Sequence, residues 1–213
     1  MIVYSPLDGD ALTSAIKAQP RHCFLMTRLG RPIPKEIEHI RHSITMGCTH
    51  NNYTVLDATS TVSGRDFLMK IWRMIASVPL SVGICHEAMP LETQGNIFYE
   101  LGVAQAMGKE TLLVKSKAAR VPSDFVRTEY IEFNDQFSKN FETYFAYLND
   151  QADHYEMVAM QLENNPVLAL DYLKRAYLIT GDNRLRDLAG TLLRAAGLES
   201  RALNSVELLA ATF

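Results

Sequence analysis

Gly95-Asn-Ile-Phe-Tyr-Glu-Leu-Gly-Val-Ala-Gln-Ala-Met-Gly-Lys109 reads as the start, body and stop of one helix. An apolar run, 80–85, precedes it across a polar loop, and a second, 111–114, follows. A helix between two such runs connects buried parallel strands, which is a βαβ unit. On this reading Glu100 lies in the first turn or so of the helix, just past the loop that leaves the carboxyl end of the preceding strand. Open α/β sheets bind ligands at that edge. A carboxylate there is either a site group or a surface glutamate that complements the positive end of the helix dipole.

Working toward the N-terminus, Ser81, Gly83 and Cys85 give the strand before this helix one face made only of small side chains, which predicts a closely packed neighbour, a helix rather than a ligand. Ser63 and Asp66 stand three apart, like a capping box, ahead of Phe67, Leu68, Ile71, Trp72 and Ile75, so a helix is expected from near Gly64 to Pro79. The preceding strand is 53–56, with Asp57 at its carboxyl end. Before that, Ile33, Ile37, Ile40 and Ile44 mark one face of a helix that Pro32 can begin and Gly47 can end. The run 22–27, between Pro20 and Gly30, is the first core strand. Residues 1–20 form an extension with a short helix expected near 10–19.

Toward the C-terminus, a strand at 111–115 and another at 128–133 are followed by Phe137, Phe141, Tyr144, Phe145 and Leu148 on one face of a helix that can continue toward Met160. Past that point the chain changes character. Asn165-Pro166 and Gly181 bracket one helix, Asp182 and Gly197 bracket another, and a shorter one is expected at 200–210. The expected architecture is therefore α/β, a flavodoxin-like five-stranded parallel sheet with helices on both faces over residues 1–152, plus an all-helical C-terminal region, 153–213. About 45 residues of helix bury little alone, so that region is read as packing on the main domain or, in a homo-oligomer, on a second subunit.

The 213 residues are 47% hydrophobic and carry a formal net charge of -3, with basic residues scattered, which gives no electrostatic reason to expect nucleic acid or an acidic membrane as partner. Three cysteines, Cys23, Cys48 and Cys85, without a C-x-x-C spacing suit a reduced, cytoplasmic setting better than a disulfide framework. No run approaches the ~18 apolar residues of a membrane span. No P-loop, no dinucleotide glycine fingerprint and no complete set of metal ligands is present, so no cofactor is expected.

Cys23-Phe-Leu-Met, Ser63-Gly-Arg-Asp ahead of Ile71-Trp-Arg-Met-Ile, and above all 96–109 resemble the nucleoside 2-deoxyribosyltransferase-like and TIR-like superfamily over roughly residues 21–133. The resemblance implies cleavage or transfer at an N-glycosidic bond of a nucleoside or nucleotide, with NAD and a nucleoside or its monophosphate both open as substrates. Carried onto this chain, it makes Glu100 the catalytic carboxylate facing the anomeric carbon. An oxocarbenium-like centre is stabilised or captured by an ionised carboxylate, and the helix N-terminus is expected to keep Glu100 ionised, with Gly95 and Gly102 letting backbone approach a ligand or, for Gly102 rather more, letting the helix pack closely on the sheet.

Around it, Asp57 and Ser63 are read as contacts for ribose hydroxyls or base, or plainly as turn former and helix cap. Arg28 and Arg65 are read as phosphate contacts or, plainly, as solvated arginines, and Asn96 and Tyr99 as pocket residues or as N-cap and core aromatic. Where many relatives carry an aspartate past the third strand, this chain has His86 and Glu87, and a histidine there can supply a proton to a departing base. The alternative is a nucleotide-sensing or partner-binding module of the same fold that does not cleave, with an inactive scaffold as a third reading.

Overall fold

The computed structural model describes residues 9, 16–30, 32–59, 67–125, 130–162 and 165–195. Its described part divides into two units, His22–Phe145 and the described residues of Met1–Arg21 with Ala146–Phe213. In the first unit, β1 (His22–Met26), β2 (Thr54–Leu56), β3 (Leu80–Cys85), β4 (Glu110–Lys115) and β5 (Tyr130–Glu132) form one sheet in the order β2-β1-β3-β4-β5. Every pair is parallel, with Met26 opposite Gly83 and Cys85 opposite Lys115 marking the registers. This is the expected flavodoxin-like α/β sheet. β3 is buried along its whole length, which is why it reads as a continuous apolar run. The expected fifth strand, 128–133, is seen from Tyr130, since 126–129 lie outside the described residues.

Right-handed crossovers put α1 (Lys35–His50) on one face of the sheet and α2 (Phe67–Ser77) and α3 (Leu91–Ala106) on the other. The start of α4 (Phe137–Gln161) joins α1: Phe133, Phe137, Phe141 and Phe145 follow one another at 4.9, 5.1 and 5.2 Å between ring centroids, the first pair tilted, the second stacked and the third edge-to-face. Gly47 does not end α1, as expected from the sequence; it lies inside the helix under this aromatic row. A Cβ on Gly47 would sit 2.5 and 2.7 Å from Cδ1 and Cε1 of Phe141. Alanine improves helix propensity by ~1 kcal/mol, but forcing the ring aside costs ~1–3 kcal/mol. Gly47→Ala is therefore expected to lower the urea midpoint, and an unchanged or higher midpoint would show that Phe141 moves freely.

α3 also departs from expectation, since it starts at Leu91 behind Pro90 rather than at Gly95. Leu91, Glu92, Thr93 and Gln94 tolerate helix, and the ~1 kcal/mol cost of a glycine in the second turn is outweighed by packing further on. The stripe Ile97, Leu101 and Ala104 is buried, and a Cβ on Gly83 of β3 would lie 2.8 Å from Leu101 Cδ1 and 2.9 Å from Ile97 Cγ2. The small face of β3 is thus occupied by a helix, as the sequence predicts. Gly108 follows the C-cap Met107 at φ +67, the left-handed stop that the sequence predicts.

The division between the units falls within α4, as does the expected domain boundary after 152. The second unit contains the later turns of α4, α5 (Pro166–Thr180) and α6 (Asn183–Ala195). α5 is bracketed as its sequence implies: the Asn165 side chain accepts from Leu168 N, Pro166 occupies the first turn, and Gly181 closes the helix at φ +71. Arg184 of α6 donates to both carboxylate oxygens of Glu156 at 2.6 and 2.7 Å, and Arg21 donates to the carbonyls of Leu178 and Thr180. Residues 16–19 carry no helix, and the rest of the expected N-terminal helix and the helix at 200–210 lie outside the described residues. No helix among the described residues is long and apolar enough to cross a membrane.

Candidate active site

Between β1 and β3 the chain turns both ways: β1 continues to β2 on one side, and β3 continues to β4 on the other. The crevice outside the carboxyl ends of two such strands is where open sheets of this order bind ligands. Thr27 and Arg28 leave β1 at that crevice, and His86 and Glu87 leave β3. Arg28 is half-buried and has no hydrogen-bond or ion-pair partner among the described residues. Its neighbour Thr27 is buried, and the Thr27 hydroxyl likewise finds no partner among them.

His86 is held by its own turn. Met89 N donates to His86 O at 2.9 Å, which closes the turn, and Ala88 N donates to His86 Nδ1 at 3.0 Å. An Nδ1 that accepts cannot carry the proton of the neutral ring, so that proton is assigned to Nε2. Nε2 has no partner among the described residues, although only 8% of the residue is exposed. Glu87 Oε2 lies 3.7 Å from Nδ1 and accepts from the Ser116 hydroxyl, a bond that holds the Glu87 carboxyl below its ordinary range. Gln94, in the first turns of α3, donates from Nε2 to the carbonyls of Met89 at 3.0 Å and His86 at 3.3 Å, while its Oε1 accepts from Cys85 Sγ at 3.5 Å. Only the NH2 end can meet two carbonyls, so the amide orientation is fixed by its partners.

Glu100 is the tenth residue of α3 and not in its first turn, which corrects the sequence reading. It lies about 13 Å along the axis from Leu91, beyond the first turn in which the dipole acts. Standing three residues after Ile97 and one before Leu101, it borders the buried stripe and is half-buried itself. No described residue hydrogen-bonds or pairs with its carboxylate. Burial pushes its carboxyl up to about 7, the reverse of the ionised state expected from a helix N-terminus. Asn96 is exposed inside the helix, one turn before Glu100 on the same side, and is not the N-cap; Tyr99 is 49% exposed and is not a core aromatic.

Asp57 follows β2 at the same edge of the sheet, but its carboxylate is engaged. It pairs with the Arg41 guanidinium of α1 and accepts from Thr59 N at 2.9 Å and Thr59 Oγ1 at 2.5 Å. That pattern is a turn tied to a helix. Ser63 and Arg65 lie outside the described residues. No group of three or more His, Cys, Asp or Glu that could hold a metal occurs among the described residues, and Cys23, Cys48 and Cys85 are all free and buried.

The strand order therefore places Arg28 and His86 after the carboxyl ends of the neighbouring strands β1 and β3, and Asn96, Tyr99 and Glu100 on the helix that follows β3. Gln94, Ser116 and Thr27 escaped the sequence reading. The links from Gln94 to the 86–89 turn, from Ser116 to Glu87 and from Arg41 to Asp57 depend on the folded geometry and leave no local pattern.

No protein-family model matches the chain, and no curated protein sequence does. Among solved structures, the chain is similar to a 2-deoxyribosyltransferase from the psychrotolerant bacterium Bacillus psychrosaccharolyticus, with 13% identity and a TM-score of 0.44 over 57% of this chain and 90% of that one. It is also similar to a CMP N-glycosidase of Clostridium botulinum, with 15% identity and a TM-score of 0.40 over 57% of this chain and 98% of that one. At these values the likeness assigns no residue and no reaction.

Proposed function

We propose that this chain cleaves, or transfers across, the N-glycosidic bond of a small nucleoside or nucleotide, with Glu100 as the catalytic carboxylate. The observation that carries this reading is the state of Glu100: half-buried, without a partner among the described residues, and raised to about 7, on the helix that leaves the β1/β3 crevice. A carboxyl desolvated in this way and unused by the fold is what functional sites accumulate. The resemblance of 96–109 to the transferase-like superfamily points to the same residue.

In the reaction the C1′–N bond breaks and its electron pair leaves with the base. The ionised carboxylate of Glu100 meets the positive charge that develops at C1′, either as an electrostatic partner or by forming a glycosyl ester that water or a second base then opens. The neutral His86 ring donates a hydrogen bond from Nε2 to the departing base, which takes up its proton from water. Arg28, a half-buried cation without a described partner, favours a phosphorylated ligand such as a nucleoside monophosphate or NAD.

The test is to incubate the purified chain with nucleosides, nucleoside monophosphates and NAD and to separate free base by chromatography. Base is expected, with a rate that rises with pH through about 7 as Glu100 ionises. Absence of base from every substrate overturns the reading, and a melting temperature raised by a nucleotide without cleavage puts the binding module in its place.

A further inference from the structure

The turn that carries His86 is held from outside itself by two side chains, Ser116 on the Glu87 carboxylate and Gln94 on the backbone. Gln94 Nε2 bonds the carbonyls of the first and last residues of the turn, His86 and Met89, and Gln94 Oε1 takes the thiol of Cys85 on the strand side. Within the turn, Ala88 N–H is placed on His86 Nδ1, and Met89 N–H on His86 O. We propose that Gln94 is a positioning residue: by clamping both ends of the 86–89 turn it keeps Ala88 N–H on Nδ1, and so keeps the neutral imidazole as the tautomer with its proton on Nε2.

The chemistry is selective. An imidazole of this tautomer offers the crevice a donor and no acceptor, so the ligand atom that it meets must carry a free lone pair, as a ring nitrogen or carbonyl oxygen of a base does. When the clamp is lost the turn opens, Ala88 N–H leaves Nδ1, and the two tautomers mix. A fraction of molecules then presents a bare Nε2 to the ligand. The tautomer claim stands on the hydrogen bonds alone. Its kinetic consequence rests on the proposed N-glycosidic reaction.

Gln94→Met keeps the side-chain length and removes every hydrogen bond, whereas Gln94→Glu keeps the acceptor for Cys85 and removes both donors. Long-range nitrogen–proton correlation spectra of 15N-histidine-labelled protein, recorded where the imidazoles are neutral and with His86 assigned by its own substitution, read the tautomer directly. Wild type is expected to show His86 protonated at Nε2 and bare at Nδ1, and both variants to show averaged nitrogens. If wild type releases base, kcat should fall about tenfold or more in both variants, with KM within about twofold. A His86 spectrum unchanged in either folded variant overturns the proposal, as does a wild-type His86 protonated at Nδ1. Failure of wild type to release any base overturns only the reaction, because the tautomer shift is read without substrate. A variant that loses its near-UV circular dichroism is replaced by the other, which differs from it in charge and in the acceptor.

Discussion

Glu100→Gln is expected to cut base release by roughly 10²- to 10⁴-fold and, in the same molecule, to raise stability above about pH 7. The two effects have one origin. A carboxyl whose folded pKa is about 7 against an ordinary 4.5 binds its proton more tightly in the folded chain than in the unfolded one. Between those values the folded state holds more protons, so the free energy of unfolding falls as pH rises, and the loss is complete above about 7. A difference of that size corresponds to about 3 kcal/mol, which exposure of part of the side chain reduces to about 1–2 kcal/mol.

Glutamine has nothing to ionise, so its melting curve escapes this decline. Below about pH 4.5 the wild-type carboxyl is protonated in both states, and the advantage of the variant disappears. Melting temperatures of the two proteins across the pH range therefore diverge upward from acid to neutral. Parallel curves would show that Glu100 is solvated, and equal base release by both proteins would remove it from the mechanism.

The second large effect concerns which glycine the site depends on. Gly83→Ala places a methyl group 2.8 Å from Leu101 Cδ1 and 2.9 Å from Ile97 Cγ2, in the seam between β3 and α3. Overpacking of this kind costs ~1–3 kcal/mol. Because Leu101 is next to Glu100 in α3, relief of the clash by moving the helix also moves the carboxylate. Gly83→Ala is expected to lower both the urea midpoint and kcat.

Gly95 and Gly102 are the contrasting controls, since a Cβ on either meets nothing within 4 Å. Both lie inside α3, where alanine is favoured by ~1 kcal/mol, so each alanine variant should be more stable than wild type. A destabilised Gly102→Ala would mean that the helix packs closer there than this arrangement allows. Of the glycines that the sequence suggests as points of close approach, Gly95 and Gly102 meet nothing, and the close approach is at Gly83, on the small-residue face of β3.

Much of this molecule is legible locally. β3 and β4 read as apolar runs because parallel strands between two helical layers are buried on both faces. α5 begins at Asn165-Pro166 and ends at Gly181 because a side-chain cap and a left-handed stop are chemistry of three or four consecutive residues. The start of α3 is not legible for the corresponding reason: Gly95 looks like a boundary locally, but the packing of Ile97 and Leu101 onto Gly83 carries the helix back to Leu91.

The sequence alone thus determined the strand runs, their βαβ order and the candidacy of Glu100 and His86. Tertiary structure alone decided their chemical states. Shifting the helix start by one turn took Glu100 out of reach of the helix dipole and left burial as the dominant influence on its carboxyl. The proton of His86 was assigned by Ala88, the carboxylate of Glu87 was engaged by Ser116, and that of Asp57 by Arg41. Hydrophobic period and capping chemistry repeat along the chain and can be read from it. Desolvation and hydrogen bonding between separate elements depend on distances through space, which exist only once the sheet is assembled.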